Sequence, residues 1–302
     1  MINTSYFNNI DKYYFTPELI DAVRVADFLG KPLLLTGEPG TGKTKLAEAL
    51  VQVFGKVWKG NVLKRTFNTK SVSIYKDLLY TYEQLKHFQD VQLKNEKNEG
   101  SDFETEYISY GALGEAIKDK ANRSIVLIDE VDKAPRDFPN DLLDVLDQTT
   151  FEVPELKKEL PNTWQFEADK NKKPLIVITS NSEKSLPDAF LRRCVYHHIA
   201  VPKDDKLQSI LMMHFAEDKV KPHFDKINAF FEKVRSQLYR KSPGTAELIS
   251  WLQVMQNQNF PFDKLKWGNV DDLSESELKT LHLSFSILAK KQEDFETIHK
   301  AH

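Results

Sequence analysis

Gly37-Glu38-Pro39-Gly40-Thr41-Gly42-Lys43-Thr44 is the stretch that decides the fold, because it satisfies G-x-x-x-x-G-K-[ST] at every fixed position. Glycines let the chain turn tightly enough for successive N–H groups to point inward at phosphate oxygens. A following helix adds its positive N-terminal end. In such a loop the Lys43 amine reaches the β- and γ-phosphates, and the Thr44 hydroxyl is a ligand for Mg2+. The flanks supply the required context. Leu33-Leu34-Leu35-Thr36 precedes the loop as a buried strand, and Leu46-Ala47-Glu48-Ala49-Leu50 follows it as a helix without breakers.

Upstream of the loop, Thr16-Pro17 opens an amphipathic helix carrying Leu19, Ile20, Val23, Ala26 and Leu29, which Gly30 and Pro32 stop. Ile125-Val126-Leu127-Ile128 and Leu175-Ile176-Val177-Ile178-Thr179 read as two further buried strands. Helical patterns separate these runs, so the expected class is α/β, a parallel sheet covered on both faces. After Pro202 the pattern is helical only, which places a domain boundary there: 1–202 α/β, 203–302 an all-helical lid. A capping box, Ser274-x-x-Glu277, opens a helix with Leu278, Leu281, Phe285 and Leu288 on one face. The polar residues 289–302 are expected to fray. Between 94 and 106 the only large apolar residue is Phe103, the composition of an exposed, mobile loop, with a functional insertion as the second reading.

Composition narrows the classes. The 302 residues carry 42 Lys+Arg against 45 Asp+Glu, a net charge of −3, which removes the simplest argument for bulk nucleic-acid binding. A single cysteine, Cys194, excludes an internal disulfide. No apolar run approaches the roughly 18 residues of a membrane helix, and the start has no basic segment followed by an apolar one. The expectation is a cytoplasmic, soluble chain.

Asp129-Glu130 directly follows the second strand. Two carboxylates at a strand's end deliver charge to the carboxyl edge of the sheet, where open α/β folds bind ligands. Asp129 is expected to hold Mg2+, mostly through water, and Glu130 to polarise the attacking water.

The loop 37–44, the run Leu127-Ile128-Asp129-Glu130-Val131-Asp132, and Asn181 ahead of Leu191-Arg192-Arg193 together resemble AAA+ P-loop ATPases. Residues 129–143 and Leu186-Pro187-Asp188-Ala189-Phe190-Leu191-Arg192-Arg193 resemble the MoxR branch in particular. The resemblance spans about residues 13–255. It implies ATP and Mg2+ as cofactors, bound by residues 37–44 with Lys45 and Tyr14, and by Thr44 and Asp129 for the metal. It implies that Asn181 is the first sensor, that Arg193 or its neighbour Arg192 is an arginine finger, and that Asn68 restrains Glu130 until a partner engages. At the position of the second-sensor arginine this chain carries Thr245 or its neighbour, leaving Arg240, Lys241 or none for that role. Residues 69–112 match a helix-2 insertion, and 151–173 match a hairpin before the first sensor. Such relatives form rings, most often hexamers, and act on a client protein presented by a von Willebrand factor A-domain protein.

Other residues have plainer readings. Tyr13-Tyr14-Phe15 suits adenine stacking or simple core packing. His197-His198 lacks partners at metal-ligand spacing. Cys194 follows two arginines that favour a thiolate, yet no base accompanies it. Trp164, Trp251 and Trp267 read as packing residues. Three functions compete: an ATP-hydrolysing remodelling ring, a nucleotide-dependent switch or scaffold with little turnover, and a nucleic-acid-associated motor.

Overall fold

A computed structural model describes residues 1–8, 10–58, 60–92, 103–158, 160–161, 163–238 and 241–301. Much of the charged 94–106 stretch, and Arg240, lie outside the described residues. The chain divides into two compact units, one of residues 1–10, 15–36 and 43–198, the other of residues 11–14, 37–42 and 199–302.

The first unit is built on strands β1 (Leu33–Thr36), β2 (Val62–Asn68), β3 (Tyr80–Tyr82), β4 (Ile108–Tyr110), β5 (Arg123–Asp129), β6 (Thr150–Glu152), β7 (Gln165–Glu167), β8 (Leu175–Ser180) and β9 (Val195–His198). Five form one sheet in the order β2-β5-β8-β1-β9, and every neighbour in it is parallel. The three apolar runs of the sequence are its interior strands. Leu33, Leu34, Ile125, Ile128, Val177 and Ile178 have no exposed surface, each side chain contributing about 1.5–3 kcal/mol of transfer free energy. Strand β2 left no continuous apolar run because it lies at the sheet's edge, and its residues alternate between more and less buried. Helix α1 (Pro17–Leu29) starts as expected, with the Thr16 hydroxyl accepting the Leu19 N–H. Helix α2 (Lys43–Val57) follows the phosphate loop and buries Leu46, Leu50, Val53 and Phe54.

The two excursions are small antiparallel pairs that share one aromatic cluster. In residues 69–112, β3 pairs with β4; in 151–173, β6 pairs with β7. Phe151 and Phe166 stack at 5.0 Å, Tyr110 meets both rings edge-on, and the Tyr80 hydroxyl donates to Glu155 at 2.7 Å.

The second unit's core gathers Leu211, Ile227, Phe231, Val234, Trp251, Phe285 and Ile298. Trp251 is wholly buried and donates its indole N–H to Ser284 at 2.8 Å, and Ser274 caps the helix Glu275–Leu288. The chain's end differs from expectation. Residues Gln292–Lys300 form a helix, because Phe295 and Ile298 stand three apart on one face and Ile298 is fully buried. Two apolar residues among polar ones give too weak a period to announce a helix in sequence. Among the described residues no helix is long and apolar enough to cross a membrane.

Candidate functional site

Neighbouring parallel strands β5 and β8 end side by side at the carboxyl edge, with Ile128 in register with Ile178. The residues just past that pair therefore face each other: Asp129 and Glu130 from one strand, Thr179, Ser180 and Asn181 from the other. The Thr179 hydroxyl donates to Asp129 Oδ1 at 2.6 Å and accepts the Glu130 N–H at 2.8 Å. The Thr44 hydroxyl, one residue into α2, lies 3.0 and 3.2 Å from the two Asp129 oxygens. A hydroxyl and a carboxylate brought together in this way are hard oxygen donors, the set that Mg2+ takes alongside its waters. The residues fit that ion.

Glu130 is held at both oxygens. Asn181 Nδ2 donates to Oε1 at 3.0 Å and Lys133 Nζ to Oε2 at 2.5 Å, and the Glu130 bond holds the Lys133 ammonium above its ordinary pKa. Glu130 also turns the chain into the left-handed region, φ 54° and ψ 53°, a conformation that costs a non-glycine residue about 1–3 kcal/mol unless its surroundings fix it. Buried Asp132 completes the frame, accepting the Asn181 N–H at 3.3 Å and the Glu183 N–H at 2.9 Å. Sequence reasoning named Asp129, Glu130 and Asn181 but not Thr179, Asp132 or Lys133. Alternation places Thr179 beside Asp129 only once the β5–β8 register is known, so no signal in the sequence alone could have singled it out.

Lys43 is buried at the start of α2 with 6% of its surface exposed. Lys45 points elsewhere on the same helix, its amine 2.8 Å from Glu48. Asn68 ends β2 opposite Asp129, but its side chain is exposed and makes no hydrogen bond among the described residues. In this structure the side chains bonded to Glu130 are those of Asn181 and Lys133. Arg193 is bound within its own unit, with Nε 2.6 Å from Asp147 and Nη1 3.2 Å from the Ala189 carbonyl oxygen. Arg192 is exposed and makes no such bond among the described residues.

In the second unit, residues 37–42 pack against the start of the helix Thr245–Asn257. Glycine is required twice here. A Cβ at Gly37 would collide with the Ile199 carbonyl oxygen, and one at Gly40, where φ is +79°, would crowd Glu247 at 3.1 Å. Thr41 turns its hydroxyl back onto the Glu38 carbonyl at 2.8 Å. Arg235, at 15% exposure, donates to the Glu38 carboxylate at 3.0 Å and to the Pro243 carbonyl. It is a cation at the loop that sequence reasoning missed, since it lies on a helix with no motif of its own. Lys241 is exposed. Tyr13 lies against the loop, its ring edge 3.6 Å from where a Gly42 Cβ would be, and burial pushes its phenol well above the ordinary range, while Tyr14 beside it is half-buried.

His198 Nδ1 lies 3.0 Å from the Thr36 hydroxyl, and among the described residues no group of three His, Cys, Asp or Glu is arranged for a metal. Burial pushes the Cys194 thiol up to about 12, outweighing its cationic neighbour Lys31, which leaves a neutral thiol rather than a nucleophile.

No curated protein matches the chain. A family model, AAA domain (dynein-related subfamily), matches residues 32–194, from the strand before the phosphate loop to the arginine pair. That span is more than half of the chain and contains β1, the phosphate loop, the Asp129-Glu130 strand end and the Asn181 turn, and so the chain belongs to the AAA domain family, dynein-related subfamily.

Proposed function

We propose that this nucleotide-dependent AAA+ protein hydrolyses ATP with Mg2+ and uses the turnover, in a MoxR-like ring, to remodel or mature a client protein. The observation that carries the reading is the strand-end frame, in which the Thr179 hydroxyl bonds the Asp129 carboxylate and the Asn181 amide bonds the Glu130 carboxylate across adjacent strands. Residues 37–44 cradle the phosphates through backbone N–H groups, and Lys43 supplies charge to the β- and γ-oxygens. Thr44 and Asp129 would hold Mg2+, which when bound would supply positive charge against the charge developing on the phosphoryl group. Glu130 orients the attacking water and accepts its proton, while Asn181 keeps that carboxylate aimed. Arg193, with Arg192 beside it, serves the neighbouring subunit's site, an arrangement that makes contacts head to tail and closes them into rings, most often hexamers. Arg235, already beside the loop through Glu38, stands in for the arginine absent at Thr245. The client reaches the ring through a von Willebrand factor A-domain protein, and the chain works in the cytoplasm.

A switch with little turnover is the second reading, favoured by one observation: in the isolated chain, Glu130 and Arg193 are both occupied by intramolecular bonds. Steady-state ATPase rates across a dilution series decide between them. A remodelling ring gains specific activity with protein concentration, whereas a switch stays slow throughout. Added nucleic acid leaves the rate unchanged if the net charge of −3 reports the partner class correctly.

A further inference from the structure

One buried hydroxyl touches both acids of the site. Thr179 sits near the end of β8 with no exposed surface. A threonine hydroxyl has one proton and two lone pairs, and here the proton and one lone pair are assigned. The proton goes to Asp129 Oδ1 at 2.6 Å, and a lone pair takes the Glu130 N–H at 2.8 Å. The first bond fixes the carboxylate's rotation, which turns both of its oxygens to within 3.2 Å of the Thr44 hydroxyl. The second fixes the peptide at which Glu130 enters its left-handed conformation, and that turn sends the side chain to Asn181 at 3.0 Å. Val or Ile would suit a buried parallel strand as well as threonine does, so the strand by itself gives no reason for a hydroxyl.

We propose that Thr179 is the positioning residue for both carboxylates, setting the metal side through Asp129 and the water side through the Glu130 backbone. This rests on the hydrolytic reading of Asp129 and Glu130. Its signature is a joint defect. Losing groups that orient metal ligands commonly costs about 10–100-fold in metal affinity or activity, and here one substitution touches both terms.

The test compares Thr179→Val, Thr179→Ser and Glu130→Gln in the full chain, using ATP, a Mg2+ titration of turnover, and nucleotide binding in the presence of EDTA. Thr179→Val is expected to bind nucleotide like the parent without Mg2+, to need about 10-fold more Mg2+ for half-maximal rate, and to lose about 10–100-fold in kcat. Thr179→Ser, which keeps the hydroxyl, is expected to restore both. If Thr179→Val does not fold, Thr179→Ala removes the same hydroxyl without adding bulk and carries the same expectation. Parental Mg2+ dependence and kcat in whichever of these folds overturns the proposal, as does a Thr179→Ser variant no better than Thr179→Val. Should Glu130→Gln hydrolyse ATP at the parental rate, the hydrolytic reading itself fails. Should Glu130→Gln be inactive while the Thr179 variants stay normal, only the role of Thr179 fails.

Discussion

The ends of β5 and β8 and the excursion over residues 69–112 are made by opposite means. At the strand ends, Thr44, Asp129, Glu130, Thr179, Asn181 and Asp132 join in a chain of hydrogen bonds on a floor of fully buried Ile128 and Ile178. In the excursion, the helix Gln84–Gln92 buries none of its residues and leaves Leu85, Phe88 and Val91 exposed at 78%, 59% and 63%. Aromatic and phenol–carboxylate contacts hold this region together: His87 against Phe103 and Tyr107, Tyr107 on Asp90, Tyr80 on Glu155. Placement to a few tenths of an ångström needs rigid strands and paired polar groups. A surface turned outward needs no such precision, and the same chain supplies both kinds of region.

The sharpest way to break the contrast is at the phosphate loop. Lys43→Ala is expected to abolish tight ATP binding, because the loop loses the amine that reaches the β- and γ-phosphates. The nucleotide-induced rise in melting temperature should vanish, and an unchanged rise would remove the loop from the site. Next in size is the arginine pair. Where fingers act in phosphoryl transfer they contribute about 10³–10⁵ in turnover, and Arg193 must first leave Asp147. Arg193→Ala mixed with Lys43→Ala should recover activity that neither has alone, since each supplies what the other's interface lacks. Full turnover in an Arg192→Ala/Arg193→Ala chain would end the ring mechanism.

How much of this was legible depends on the same contrast. Leu33 to Thr36, residues 125–128 and 175–179 declared themselves as strands because both faces of an interior parallel strand are buried, leaving continuous apolar runs. Asp129 and Glu130 were readable because polarity begins abruptly where the 125–128 run stops, whereas Asn181 was named only through the family resemblance. Thr179 was not, since a threonine inside a β-branched run looks like packing until β8 is set beside β5. The excursion was legible only as polar and loop-rich. Its fold depends on pairs distant in sequence, such as Tyr80 and Lys76 with Glu155, which no local period reports. The helix Gln292–Lys300 was missed for a related reason: its stability comes from burying Ile298 in the second unit's core, not from its own pattern.

Alkaline titration separates the two regions with a moderate effect. Burial, then the bond to Glu155, pushes the Tyr80 phenol from 10.0 up to about 12. The folded chain thus holds that proton more tightly than the unfolded chain does. The resulting stability is fully present below about pH 10 and is lost as pH rises through about 12. Deprotonation would also set a phenolate against the Glu155 carboxylate, which the Lys76 and Tyr80 bonds hold below its ordinary pKa despite burial. The expected outcome is a melting temperature that falls over this range in the parent and falls less in Tyr80→Phe. Equal slopes would show that the pair does not hold the excursion. The frame of Asp129, Glu130, Thr179 and Asn181 contains no phenol, so this transition leaves it untouched.

The smallest expected effect is the most direct test of the comparison. Leu85, Phe88 and Val91 stand at successive three-residue steps along one exposed stripe of the helix Gln84–Gln92. If the stripe contributes to a core, replacing all three with serine removes several kcal/mol, because each buried apolar side chain is worth about 1.5–3 kcal/mol. If it faces outward as the structure has it, each change stays within about 0.5 kcal/mol, the range of ordinary surface substitutions. Leu127→Ala on β5 serves as the internal standard: Leu127 is 1% exposed, and losing a buried leucine costs about 2–5 kcal/mol. The triple serine variant should therefore melt within a few degrees of the parent and keep its basal ATPase rate, while Leu127→Ala melts far lower. A triple variant as unstable as Leu127→Ala would mean that the helix is covered in solution, and the division between a paired interior edge and an outward-facing excursion would no longer stand.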